Sequence, residues 1–92
     1  ADADLLVHVV DASALDAPGN IEAVRTVLRE IDADEGPVLY AFNKADLAPS
    51  EATRLAKHHE GAVAFSATTG EGVEELLLTL RLVSLRPFII LR

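Results

Sequence analysis

Asn43, Lys44 and Asp46 put an amide, a long cationic stem and a carboxylate into four consecutive residues, directly after the apolar run Pro37-Val38-Leu39-Tyr40-Ala41-Phe42. A strand that ends this way offers all three groups at the carboxyl edge of a sheet, where open α/β folds hold nucleotides. An ionised carboxylate accepts two parallel donors in a charge-assisted bidentate pair, and guanine carries such a pair in its ring N–H and exocyclic amine. Asp46 is the candidate acceptor. Adenine lacks that donor pair, and a carboxylate left unpaired against it costs roughly 1–3 kcal/mol. Asn43 is suited to tying neighbouring loops together, and the Lys44 stem to lying over a flat base. Read alone, the same four residues also suit a polar turn between a strand and a helix.

A second apolar run, Ala62-Val63-Ala64-Phe65, precedes the small-residue loop Ser66-Ala67-Thr68-Thr69-Gly70-Glu71-Gly72. Small residues let a backbone approach a ligand closely. Residues 47–61 have room for one crossover helix, and right-handed crossovers between parallel strands would make the two loops neighbours. The Ala67 amide would then face a guanine carbonyl while Asp46 takes the donor side of the base. A helix start without a ligand is the competing reading of this loop.

With both loops in view, Asn43-Lys44-Ala45-Asp46-Leu47 and Ser66-Ala67 resemble the two base-recognition motifs of translation-factor-type GTPases. The surrounding text, residues 5–13 (Leu-Leu-Val-His-Val-Val-Asp-Ala-Ser), Ile21-Glu22-Ala23-Val24-Arg25 and Gly61-Ala62-Val63-Ala64-Phe65-Ser66-Ala67, is similar to the HflX group of ribosome-associated GTPases over residues 1 to about 80. The resemblance implies a partial three-layer P-loop GTPase-like α/β fold, with three parallel strands alternating with three helices. It also implies GTP or GDP held through Asn43, Lys44, Asp46, Ser66, Ala67 and Thr68, by base contacts only. For the parent protein it implies Mg²⁺, GTP hydrolysis, the large ribosomal subunit as partner, and a cytoplasmic location. Thr68 departs from the family, which usually has lysine there. Because the loop backbone does the reading, that change is expected to weaken the site without abolishing it.

The sequence contains no Gly-x-x-x-x-Gly-Lys-[Ser/Thr], the arrangement that cradles phosphates and presents a hydroxyl to Mg²⁺. Asp16-Ala17-Pro18-Gly19 spells a metal-linked switch, yet Pro-Gly before a helix is ordinary turn chemistry. In the family the phosphate loop and switches precede the text seen here, so residues 1–82 are expected to be the second half of a G domain, without catalytic or metal-binding residues and inactive alone. A piece of a circularly permuted ribosome-assembly GTPase and a nucleotide-free α/β interaction module remain as alternatives.

The 92 residues carry a net charge of −7, half are apolar, and none is cysteine. One small packed domain is expected, without disulfides or thiolate metal sites. The negative charge opposes non-specific nucleic-acid binding, which depends on Lys and Arg neutralising phosphates. No metal set forms from His8, His58 and His59; His8 is expected as a packed strand histidine, the others as a helix end. Glu71, Glu74 and Glu75 suit the start of a helix, where acids are favourable.

Three strand–helix units must position these loops. Leu5 to Val10 is the continuous apolar run of a doubly covered parallel strand. Ile21, Val24, Val27, Leu28 and Ile31 recur at helical spacing, predicting a helix opened by Gly19 or Asn20 and ending near Ala33. Ser50 is the expected cap of a helix through His58, and residues 72 to about 82 form the third, with Val73, Leu76, Leu77 and Leu80 buried. Residues 83–92 form an apolar tail in which Pro87 stops a helix and Phe88-Ile89-Ile90-Leu91 forms an edge strand or packs elsewhere; arginines interrupt it too often for a membrane span. Leu5 to Val10, lacking the family's neighbouring strand, is expected to present an open apolar edge, so that the isolated chain self-associates through this edge or the apolar tail, or folds only marginally.

Overall fold

In the computed structural model the described residues are 5–31, 38–83 and 88–91. The expected end of the first helix near Ala33, the start of the second strand at Pro37, and Pro87 as a helix stop lie outside them. Chain order is β1 (Leu5–Asp11), α1 (Ala17–Glu30), β2 (Val38–Asn43), α2 (Pro49–Lys57), β3 (Val63–Ala64), α3 (Val73–Val83) and β4 (Phe88–Leu91). The expected parallel α/β sheet is present, and it has four strands in the order β3-β2-β1-β4.

The fourth strand corrects the expectation of an open edge at Leu5 to Val10. β4 pairs parallel with β1, Leu5 opposite Phe88 and His8 opposite Leu91. β1 is therefore an inner strand, and β4 carries that edge of the sheet. Phe88–Leu91 is wholly apolar and holds two β-branched isoleucines, and its pairing with β1 satisfies backbone groups on both strands.

Chirality distributes the helices. The chain moves in one direction from β1 to β2 to β3 and then returns past β1 to β4; right-handed crossovers require the return helix to cover the opposite face. Accordingly Ala17 and Ile21 of α1 and Ala52 and Leu55 of α2 pack with Val10 and Phe42, while Leu76 and Leu80 of α3 pack on Leu5, Val7 and Leu39. Residue alternation along the strands separates the two sets, because successive side chains point to opposite faces.

Local chemistry shifts the helix starts. α1 begins at Ala17, two residues before the expected opening, because the Asp16 carboxylate accepts the Gly19 N–H at 3.1 Å and caps the first turn. Asp16-Ala17-Pro18-Gly19 is thus helix-capping chemistry. α2 starts at Pro49 with no side-chain cap, so Ser50 lies inside the helix; proline suits this position because the first turn needs no N–H. Leu77 is half exposed, leaving Leu76 and Leu80 to face the sheet, and Val27 of α1 and Ile31 at its C-cap are exposed as well.

On the α1/α2 face, Tyr40 links the rings of His8, Phe42 and His59, with centroids 5.6, 6.3 and 4.6 Å away. His59 also places Nδ1 2.9 Å from the Leu55 carbonyl, so it is a packing group as well as a helix-end residue. His8 is only 5% exposed, and burial lowers its pKa below the ordinary histidine value.

Two predictions follow from this packing. The unfolded chain takes up a proton at His8 at a higher pH than the folded chain does, so folding stability falls as pH drops through about 6.5 and below. Urea unfolding between about pH 8 and pH 5.5 is expected to show this decline, and His8→Leu is expected to flatten it. The second concerns Gly72, whose φ is +74° and where a Cβ would collide with the Ala64 carbonyl and reach the Phe65 Cα at 3.0 Å. Gly72→Ala is expected to cost about 3 kcal/mol, more than Gly70→Ala, where φ is +87° but space is open and only the backbone strain of about 1 kcal/mol is incurred.

Candidate functional site

Asn43 ends β2 opposite Asp11, the last residue of β1, and its own position in the register brings it beside the loop that follows β3. Its side-chain Oδ1 accepts two backbone donors, Lys44 N–H at 2.7 Å and Ala67 N–H at 3.0 Å. One amide oxygen therefore joins loops 24 residues apart in sequence. Main-chain bonds lock the same junction, with Ala45 N–H on the Phe65 carbonyl at 3.0 Å and Phe65 N–H on the Phe42 carbonyl at 2.8 Å. Ala45 is buried between the loops, which explains a small apolar residue inside an otherwise polar motif.

The Ser66 loop is built from within. Ser66 is fully buried; its Oγ accepts the Thr69 N–H at 3.1 Å, its carbonyl accepts Gly70 N–H at 2.8 Å, and its N–H donates to the Glu71 carbonyl at 2.8 Å. Ser66 is therefore a loop former, its hydroxyl oxygen engaged by the Thr69 N–H. Ala67 and Thr68 are exposed at the tip. The Ala67 N–H, expected to face a ligand carbonyl, is directed to Asn43, whereas the Thr68 N–H has no acceptor among the described residues.

Lys44 and Asp46 face solvent. Lys44 adopts φ +64°, uncommon for a residue with a side chain, and its Nζ lies 3.1 Å from Asp11 Oδ2. Asp46 makes no side-chain hydrogen bond or ion pair among the described residues. All six residues singled out from the sequence thus come together at the carboxyl ends of β2 and β3. Asn43 and Ser66 shape the loops, while the Lys44 stem, the Asp46 carboxylate and the Thr68 amide present open groups.

Sequence reasoning missed Asp11 and Ser13. Asp11 Oδ1 accepts both the Ser13 N–H at 2.8 Å and its hydroxyl at 2.6 Å, a local turn that Asp-x-Ser after a strand could have signalled. The Ser13 hydroxyl first, and then Lys44, hold the Asp11 carboxyl below its usual range. Among the described residues no group of three or more His, Asp or Glu gathers to hold a metal ion, and no helix is long and apolar enough to cross a membrane.

No protein-family model matches the chain. Among curated proteins, GTPase HflX of Escherichia coli K12 is 43% identical over 81 residues, covering 85% of this chain and 19% of that protein. GTPase HflX of Akkermansia muciniphila is 40% identical over 82% of the chain and 18% of its own length, and that of Magnetococcus marinus 39% identical over 86% and 18%. The chain spans about a fifth of the length of the curated relatives it matches. Identity at this level across more than four fifths of the chain, joined to a parallel α/β sheet that brings both motif loops to one edge, places these 92 residues in the HflX GTPase family.

Proposed function

We propose that the two loops read the guanine base of GTP or GDP. The observation that carries this reading is the double hydrogen bond to Asn43 Oδ1, which fixes one loop against the other while Asp46 stays unpaired. Asp46 accepts the ring N–H and exocyclic amine, the Lys44 stem covers one face of the base, and the open Thr68 N–H donates to the guanine carbonyl. Ala67 contributes by holding Asn43 in place, and Ser66 by shaping the turn beneath the tip. The lysine usual in the family at position 68 would add a stem over the base, whereas Thr68 offers the backbone donor alone.

In the parent protein this site serves GTP hydrolysis with Mg²⁺, and the family resemblance supports a cytoplasmic, ribosome-associated role at the large subunit. The residues present fit the base; phosphate chemistry belongs to elements this sequence does not contain. The 92-residue chain by itself supplies base specificity and no turnover. Residues 1–82 are the half-domain that does so, with Phe88–Leu91 of the tail adding the outer strand, whose edge is the surface available for self-association.

Titration of the chain with GDP, ADP and XDP followed by NMR tests the reading. GDP is expected to shift the amides of residues 43–46 and 66–69 and to bind more tightly than ADP. Asp46→Asn is expected to weaken GDP by about tenfold, the scale of one lost charge-assisted pair, and to favour XDP, whose carbonyl replaces the exocyclic amine. Equal shifts for all three nucleotides, unchanged by the substitution, would reduce the site to a polar turn. Phosphate release from GTP and Mg²⁺ by the purified chain is expected to stay at the buffer rate; turnover that co-purifies with the protein and responds to mutation would overturn that part.

A further inference from the structure

Lys44 and Asp46 are two residues apart on one exposed loop, and an unrestrained ammonium there would be drawn to the nearby carboxylate. The structure directs it elsewhere. Lys44 Nζ lies 3.1 Å from Asp11 Oδ2, across the top of the neighbouring strand. Asp11 is itself fixed: its other oxygen accepts the Ser13 N–H and hydroxyl, and the Ala12 N–H donates to the Asn43 carbonyl at 3.0 Å. The turn after β1 is therefore fastened to the end of β2 by a main-chain bond and an ion pair. The left-handed backbone of Lys44, at φ +64°, aims the start of the stem that this pair then holds at its far end.

We propose that Asp11, oriented by Ser13, is a positioning residue of the base site: it holds the Lys44 ammonium over β1, keeping the stem laid out for stacking and Asp46 free for the donor edge of the base. This rests on the base-reading proposal above. Asp11 touches no ligand in this scheme and acts only through Lys44. The pair is half exposed, with side-chain exposures of 50% for Lys44 and 39% for Asp11, so its effect is modest. Its worth lies in deciding which carboxylate the lysine joins.

The test is a double-mutant cycle on the full 92-residue chain, read by NMR titration with GDP and ADP, together with the exchange rate of the Lys44 ammonium protons without nucleotide. Asp11→Asn is expected to weaken GDP about threefold and to speed ammonium exchange, with ADP little changed. Ser13→Ala is expected to act in the same direction and more weakly, since it frees the carboxylate without removing it. In a Lys44→Met background Asp11→Asn is expected to have no further effect on GDP, a non-additivity that a general loss of stability would not produce. If GDP is preferred over ADP but Asp11→Asn leaves that preference intact, or if its effect is undiminished in Lys44→Met, the positioning role is overturned while base reading stands. If no guanine preference exists in the parent chain although Asp11 still restrains the ammonium, base reading is what fails, and the positioning role falls with it.

Discussion

The Asn43 side-chain oxygen is the point on which the site depends. A carbonyl oxygen has two lone pairs, and here both are used on main-chain donors from different loops. Main-chain bonds hold the bases of the two loops, so removing this acceptor would leave the Lys44 and Ala67 N–H groups to find water and would loosen the tips alone. The effect is structural first and chemical second. An amide is better suited than a carboxylate to this role, because a neutral acceptor at the centre leaves the one exposed negative charge of the motif at Asp46.

The fold supports that junction by making its surroundings rigid. Phe42 and Ser66 immediately flank the joined loops and are fully buried, and Ala45 is nearly so. The residues that remain open to solvent are thus mounted on residues that cannot move without disturbing the core. Gly72 adds a close approach from the other side, where the start of α3 passes against the backbone of Ala64 and Phe65. Site and core are continuous at this edge of the sheet, and a change in one is felt in the other.

Much of this was legible in the sequence because parallel strands covered on both faces announce themselves as unbroken apolar runs, and the polar motifs sit directly at their ends. Asn43 as a tie between loops could be read from residue chemistry alone. What escaped reading was decided by competition or by distance. Asp16 and Ser50 are both reasonable caps, yet only Asp16 caps a helix, whereas α2 starts at Pro49 after Ala48 with no side-chain cap and takes Ser50 inside it. The pairing of Phe88–Leu91 with Leu5–His8 is non-local, and nothing in four apolar residues names a partner strand. Asp11 escaped because its role depends on a register, Asp11 opposite Asn43, that exists only once the sheet has formed. Val27 and Ile31 match the helical period of α1, yet they line an open apolar groove beside Leu91, where the sheet beneath the helix ends.

The strand order has a kinetic side. Among the described strands β1, the first, takes β4, the last, as its outer neighbour, and these partners are more than eighty residues apart. Within these residues β1 and β2 are joined by one helical connection, whereas β1 and β4 meet only across the whole intervening segment. Closing so long a loop costs more chain entropy than forming the local helices or the β1–β2 unit, so the β1–β4 pairing is the part of this sheet that topology makes slowest to form.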